Sequence, residues 1–280
     1  MHTRRVTSRW AVATLAAAVS VSALGACGSS SSTASKTTDA STAKTTVAGT
    51  SDVKTACLRW SELDAQTAQG PGGEEGPPTP DQIKQFAAGL KPTVDKMKAE
   101  APDAISDDVD QISAIVDDAA QGKNPQKLDP SEPALGTPVL NVETWVFENC
   151  GNQQVEVTGV DYGFEGIPEK LDAGQTSIKF TNSAKDEEHE MALLKINPGA
   201  DVTATELAAA IKKDPDAAEQ KYGKDITFVA DVSAKPGKTN YTSTNLDVGE
   251  YVAACFIPQG GMDGHEAHAQ LGMVDSFTVS

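Results

Sequence analysis

Apolar side chains between residues 52 and 121 recur at steps of three and four, the repeat of helices with one buried face. Ile83, Phe86, Leu90, Val94 and Met97 form one stripe, and Ile105, Val109, Ile112 and Val116 form another. A shorter stretch over 53–67 places Leu58, Trp60 and Leu63 near one side. The Gly/Pro loop at 69–78 runs into Thr79-Pro80-Asp81, which predicts a helix start. The hydroxyl caps, the proline needs no N–H partner in the first turn, and the acid suits the helix dipole. Pro92, inside the first stripe, predicts a kink or a division. The expectation is a bundle of about three helices over 52–138, ending in a proline-bearing connector.

From residue 139 the repeat shortens to two. Segments 155–164, 177–181, 188–196, 226–232, 238–245, 250–257 and 274–280 read as short strands separated by turns. Alternate strand residues point the same way, so Ile178 and Phe180 share a face. So do His189, Met191 and Leu193, and again Tyr251, Ala253 and Cys255. One helical insertion, 203–213, carries Leu207 and Ile211 four apart. The pattern predicts an α+β chain: a small N-terminal helical bundle, then an antiparallel β-sandwich over 139–280 with a helical insertion.

The first residues have a different character. Arg4, Arg5 and Arg9 precede an apolar run, Trp10 to Leu24, too short and too rich in alanine and serine for a good membrane span. Leu24-Gly25-Ala26-Cys27 has the form of a bacterial lipobox. The expectation is a signal peptide over 1–26 and an acylated Cys27 that anchors the protein to the extracytoplasmic face of a cell membrane. Residues 27–51 are small, polar and free of aromatics, the composition of a disordered tether. The chain holds 40 acidic and 23 basic side chains, a net charge of −17. Loss of 1–26 removes three arginines and no acid, which takes the charge to −20. That sign disfavours nucleic acid as a partner.

Candidate chemistry comes from four cysteines and four histidines. With Cys27 assigned to lipid, Cys57 and Cys150 bracket the helical region, and their pairing in an oxidising compartment would staple it to the start of the sheet. Cys255 is left over. His2 leaves with the signal peptide, so His189, His265 and His268 remain. A type 1 copper site takes two imidazoles and a thiolate in a plane, with a weak axial thioether. His189 on a strand, with Cys255, His268 and Met273 from the last strand–loop–strand connection, would supply that set.

The segment from about Gly151 to Ser280 resembles the cupredoxin (plastocyanin and azurin) family. The matching residues are Phe180-Thr-Asn182 upstream of His189-Glu190, Gly249-Glu-Tyr251 leading into Cys255, and His268 with Met273 before Val274 and Phe277. The resemblance implies a cupredoxin-like sandwich and one copper ion held by His189, Cys255, His268 and Met273. Twelve residues separate Cys255 from His268, more than in small members of the family, so His265 stays open as a substitute for His268 and Met262 for Met273. The helical region resembles the N-terminal part of actinobacterial lipoproteins, a less specific match.

The functional expectation is a lipid-anchored copper protein that holds copper or carries electrons, its partner a redox or copper-transfer protein. The alternative is a metal-free cupredoxin-fold interaction module on the cell surface. An enzyme is not expected: the chain has no G-x-S-x-G elbow and no Gly-rich phosphate loop after a strand. His265-Glu266-Ala-His268 lacks the helix-borne spacing of a hydrolytic zinc site.

Overall fold

The computed structural model describes residues 50–67, 70–71, 77–261 and 266–280. The segment expected to be a signal peptide, Cys27 and the expected tether up to residue 49 lie outside these residues, as do Met262 and His265. No helix among the described residues is long and apolar enough to cross a membrane.

The described residues open with four α-helices: α1 (Thr50–Thr67), α2 (Pro80–Glu100), α3 (Ser106–Ala120) and α4 (Pro133–Asn149). The start of α2 is the expected one, with Thr79 and Gln82 forming a reciprocal capping box. Pro92 does not divide α2, which runs on to Glu100. It lies on the exposed side, where the carbonyl it leaves without a donor meets water. Leu90, Val94 and Met97 pack with Ile105, Val109, Ile112 and Val116 in one core. In α1 the buried side is Ala56, Trp60 and Leu63, while Leu58 is 55% exposed. Two residues from Trp60, Leu58 is turned some 200° around the helix, so it cannot share that side.

The fourth helix occupies the stretch expected to hold a connector and the first part of the sheet. Leu135, Val142 and Val146 are buried at helical steps, and Pro133 and Pro138 sit within its first two turns. Pro133 takes the first helical position, where its missing N–H costs nothing, while Pro138 lies inside the helix, which continues past it to Asn149. The strands therefore begin at Gln153, not near residue 139.

Among the described residues nine strands form two sheets. In chain order they are β1 (Gln153–Val160), β2 (Gly163–Glu165), β3 (Lys170–Leu171), β4 (Gly174–Asn182), β5 (His189–Ile196), β6 (Ile226–Ala234), β7 (Thr239–Leu246), β8 (Gly249–Ala254) and β9 (Val274–Val279). One sheet has the order β2-β1-β4-β7 and the other β3-β9-β8-β5-β6. The sheets are mixed, not antiparallel throughout: β1 lies parallel to β4, and β3 parallel to β9. Parallel neighbours need a crossover, and the chain makes one by visiting the second sheet at β3 before returning as β4. Alternation of side chains fixes faces and is blind to strand direction, so the pattern could not show this.

Between the sheets, Val155, Val157, Ile178, Phe180 and Leu246 of the first meet Met191, Leu193, Tyr251, Ala253 and Phe277 of the second. The other face of β5, Leu194 and Ile196, is covered by the insertion, where Leu207 and Ile211 of α5 (Ala204–Lys213) are fully buried. A second helix, α6 (Pro215–Tyr222), follows directly, capped by Asp214 and burying little but Ala218. Strand β5 is thus apolar on both faces, which holds its N-terminal residue rigidly. A disulfide joins Cys57 of α1 to Cys150 at the end of α4. The Phe147 ring of α4 packs 5.4 Å from Tyr241 of β7, so the bundle rests on the first sheet.

Candidate metal centre

Three elements meet at one end of the sandwich. His189 is the first residue of β5, Cys255 directly follows β8, and His268 opens α7 (His268–Leu271), the short helix before β9. The strands β5 and β8 are hydrogen-bonded neighbours, with Ala192 opposite Ala254, so register alone brings His189 and Cys255 to the same end. The loop after β8 then folds back on itself. His268 N donates to Ile257 O at 2.9 Å, Ala269 N to Cys255 O at 2.8 Å, and Cys255 N to Met273 O at 3.0 Å. Met273 N closes the turn by donating to His268 O at 3.0 Å. These backbone bonds fix Cys255, His268 and Met273 as one unit.

The side chains converge. His189 Nδ1 lies 3.0 Å from His268 Nδ1, and Cys255 Sγ lies 3.4 Å from His268 Nδ1. The donor atoms of all three residues lie within 4.8 Å of one another. His189, Cys255 and His268 are buried, and Met273 is fully buried in the same core cluster as Cys255. Among the described residues this is the one group of three or more histidines, cysteines or carboxylates so placed.

The protonation states suit a metal. Burial is the main cause holding both histidines below their usual value, and each imidazole is therefore neutral with a lone pair to give. Burial pushes the Cys255 thiol up to about 12, so without a cation it keeps its proton. A bound cation reverses that order, because a coordinating thiol is deprotonated outright. His189 Nε2 is buried with no hydrogen-bond partner. A donor set of two imidazoles, one thiol and no carboxylate suits copper and not magnesium or calcium. The residues present fit a type 1 copper ion.

Several residues around the centre went unassigned in the sequence. Glu187 Oε1 accepts from Gly260 N at 2.9 Å, and its Oε2 stands 3.1 Å from His268 Nε2, an ion-pair distance too oblique for a hydrogen bond. Glu190 clamps the loop from the other side: its carboxylate accepts from Phe256 N at 2.9 Å, and its own N–H donates to Cys255 Sγ at 3.4 Å. Asn182, named in the resemblance without a role, is fully buried and donates to Glu187 O and Ala234 O, both at 2.8 Å. It thereby fixes the turn into His189. The Tyr162 ring stands edge-on to His268 at 5.4 Å and, with its hydroxyl accepting from Gln259 at 2.7 Å, shields the imidazole. The run of acids around His189 was the available signal, but no spacing rule says which of them turn inward.

Two glycines make room. A Cβ on Gly159 would lie 2.9 Å from Phe180 and 3.2 Å from Met273 Cε, so β1 approaches the centre closely only as glycine. Gly272 has φ +128°, a conformation L side chains rarely adopt, and the Tyr162 carbonyl would lie 3.2 Å from its Cβ.

No family model and no curated protein matches the chain. Solved structures similar to it include a dithionite-reduced auracyanin from the photosynthetic bacterium Roseiflexus castenholzii (16% identity, 46% of this chain, 97% of that chain, TM-score 0.31). Another is auracyanin A from Chloroflexus aurantiacus, described as a "blue" copper protein (21% identity, 46% of this chain, 100% of that chain, TM-score 0.31). A third is the azurin Az-iso2 from Methylomonas sp. strain J (14% identity, 46% of this chain, 98% of that chain, TM-score 0.28). At these scores the geometry of the chain's own residues carries the chemistry that follows.

Proposed function

We propose that this chain binds one copper ion that His189, Cys255 and His268 would hold, with Met273 as a further, weaker donor, and that it holds copper or carries electrons outside the cytoplasm. The observation that carries the proposal is the convergence of two neutral Nδ1 atoms on a buried thiol. Copper in such a site supplies one-electron exchange between its two oxidation states. The chain's residues supply the rest. Cys255 gives up its proton on binding, the two imidazoles enter already neutral, and the apolar core keeps water away from the sulfur. Glu187, Glu190 and Asn182 hold the ligand-bearing loops in register, so the donor positions alter little between the two states. The lipobox at Cys27 supports attachment to a membrane, which would place the centre at the cell envelope within reach of a redox or copper-transfer partner.

The test is titration of the purified chain with Cu(II). One equivalent should produce a thiolate-to-copper charge-transfer band in the visible, and Cys255→Ser should abolish it. Copper should also raise the melting temperature, by about 2.7 kcal/mol of added stability at a hundredfold excess over Kd. A chain that takes up no copper and shows no band would refute the proposal and leave the metal-free interaction module. Recovery of Cys27 in unacylated form from cell membranes would refute the anchor alone.

A further inference from the structure

The helical bundle contains a cavity of about 420 Å³ that takes no part in the metal centre. Trp60, Phe86, Leu90 and Val139 give it apolar walls, and the carboxyl groups of Asp64 from α1 and Glu143 from α4 enter it. Among the described residues no lysine, arginine or histidine lines it. Neither carboxyl has a hydrogen bond or ion pair with any described side chain; their charged neighbours are each other and Asp231 of β6. Asp64 and Glu143 are half-buried, and a carboxylate that loses part of its water against apolar walls, with no base beside it, is held at a cost. The cost shows in the acids themselves. Burial, reinforced by the neighbouring acid, pushes Asp64 up to about 6 and Glu143 up to about 8.

The occupant that would remove the cost is positively charged. A hard metal ion demands six or more oxygens, and no third carboxylate converges with these two as a ligand among the described residues. The walls call instead for an apolar body, and the aromatic side chains of Trp60 and Phe86 are among those that line them. The volume falls in the range of small-molecule sites. We propose that the bundle cavity binds a small hydrophobic monoamine, its ammonium between Asp64 and Glu143 and its apolar body against Trp60 and Phe86.

The probe pair is 1-naphthylmethylamine and its neutral isostere 1-naphthylmethanol, titrated calorimetrically into the full chain at neutral pH. The amine should bind one site per chain about tenfold or more tightly than the alcohol. Asp64→Asn and Glu143→Gln should each weaken the amine about tenfold and leave the alcohol unchanged. Trp60 emission should change on amine addition and cease to do so in Trp60→Phe. Equal affinity for amine and alcohol, or no binding of either at the solubility limit, overturns the proposal. Should a variant fail to fold, the amine–alcohol comparison on the unaltered chain decides alone. Copper loading is scored separately by the visible band, so failure of the metal proposal and of this one are distinguishable.

Discussion

The Nδ1 atoms of His189 and His268 lie 3.0 Å apart, although 79 positions separate them in the chain. At that distance one ring's N–H donates to the other's lone pair, so at least the accepting imidazole is neutral. A metal ion with bonds of roughly 2 Å at trigonal angles would set the same two atoms about 3.5 Å apart. The rings therefore part only slightly to admit an ion, and little ordering remains to oppose its binding. From this geometry, and from the packing that enforces it, four outcomes are expected.

Gly159→Ala should disturb the centre from behind. Its new methyl would press on Phe180 and on the Met273 Cε, and overpacking of this kind costs about 1–3 kcal/mol. A lowered melting temperature together with a shifted copper absorption maximum is the expected pair. A shift in neither would show that Met273 does not sense β1.

Met273→Leu keeps the volume and loses the thioether. Copper should still bind with its charge-transfer band, since the three strong donors remain. If Met273 is the weaker donor proposed, its loss disfavours the oxidised ion, so the reduction potential should rise. Voltammetry on the two proteins checks it, and an unchanged potential removes Met273 from the ligand set.

Replacing both Cys57 and Cys150 with alanine should lower stability by about 2–5 kcal/mol, because the bridge spans 93 positions of sequence. Thermal melts measure the loss. The visible spectrum of the copper-loaded protein should not change, since the bridge ties α1 to α4 while the ligands sit on the sandwich.

Glu143 should make stability fall as pH rises. Its pKa moves from 4.5 to about 8 on folding, so between those values the folded chain holds a proton that the unfolded chain has released. The protonated carboxyl is the favoured buried form, full stability is present below about 4.5, and the penalty is complete above about 8. Glu143→Gln should therefore stabilise by about 1–3 kcal/mol at pH 8 and by nothing at pH 4.5. Urea melts at the two pH values test this, and an equal gain at both would contradict it.

Much of this protein is written in local patterns. The capped start of α2, the stripes that become the bundle core, the alternation around Ile178, Phe180 and Tyr251, and the pairing of Cys57 with Cys150 all rest on near neighbours or on small numbers of reactive residues. So does the short list of donors, because scarcity leaves only His189, Cys255 and one of His265 and His268 to build a site. What the pattern missed had a shared cause. Helix α4 hides behind two prolines, one at its first position and one that it runs through, and Leu58 carries an apolar side chain on an exposed face. The parallel pairing of β1 with β4 leaves no trace in alternation, which records faces and not directions.

The metal centre divides along the same line. The sequence by itself determined which donors exist and that each of His189 and Cys255 would face inward from its strand. Only the tertiary structure decided that they meet. Register between β5 and β8 sets the first two side by side, and the backbone bonds from Cys255 to Met273 and from His268 to Ile257 fold the loop so that the second imidazole reaches them. The inward turn of Glu187, Glu190 and Asn182, and the chamber holding Asp64 opposite Glu143, likewise depend on residues far apart in the chain. A side chain's type is local, while its neighbours across a sheet or a bundle are set by how the whole chain packs.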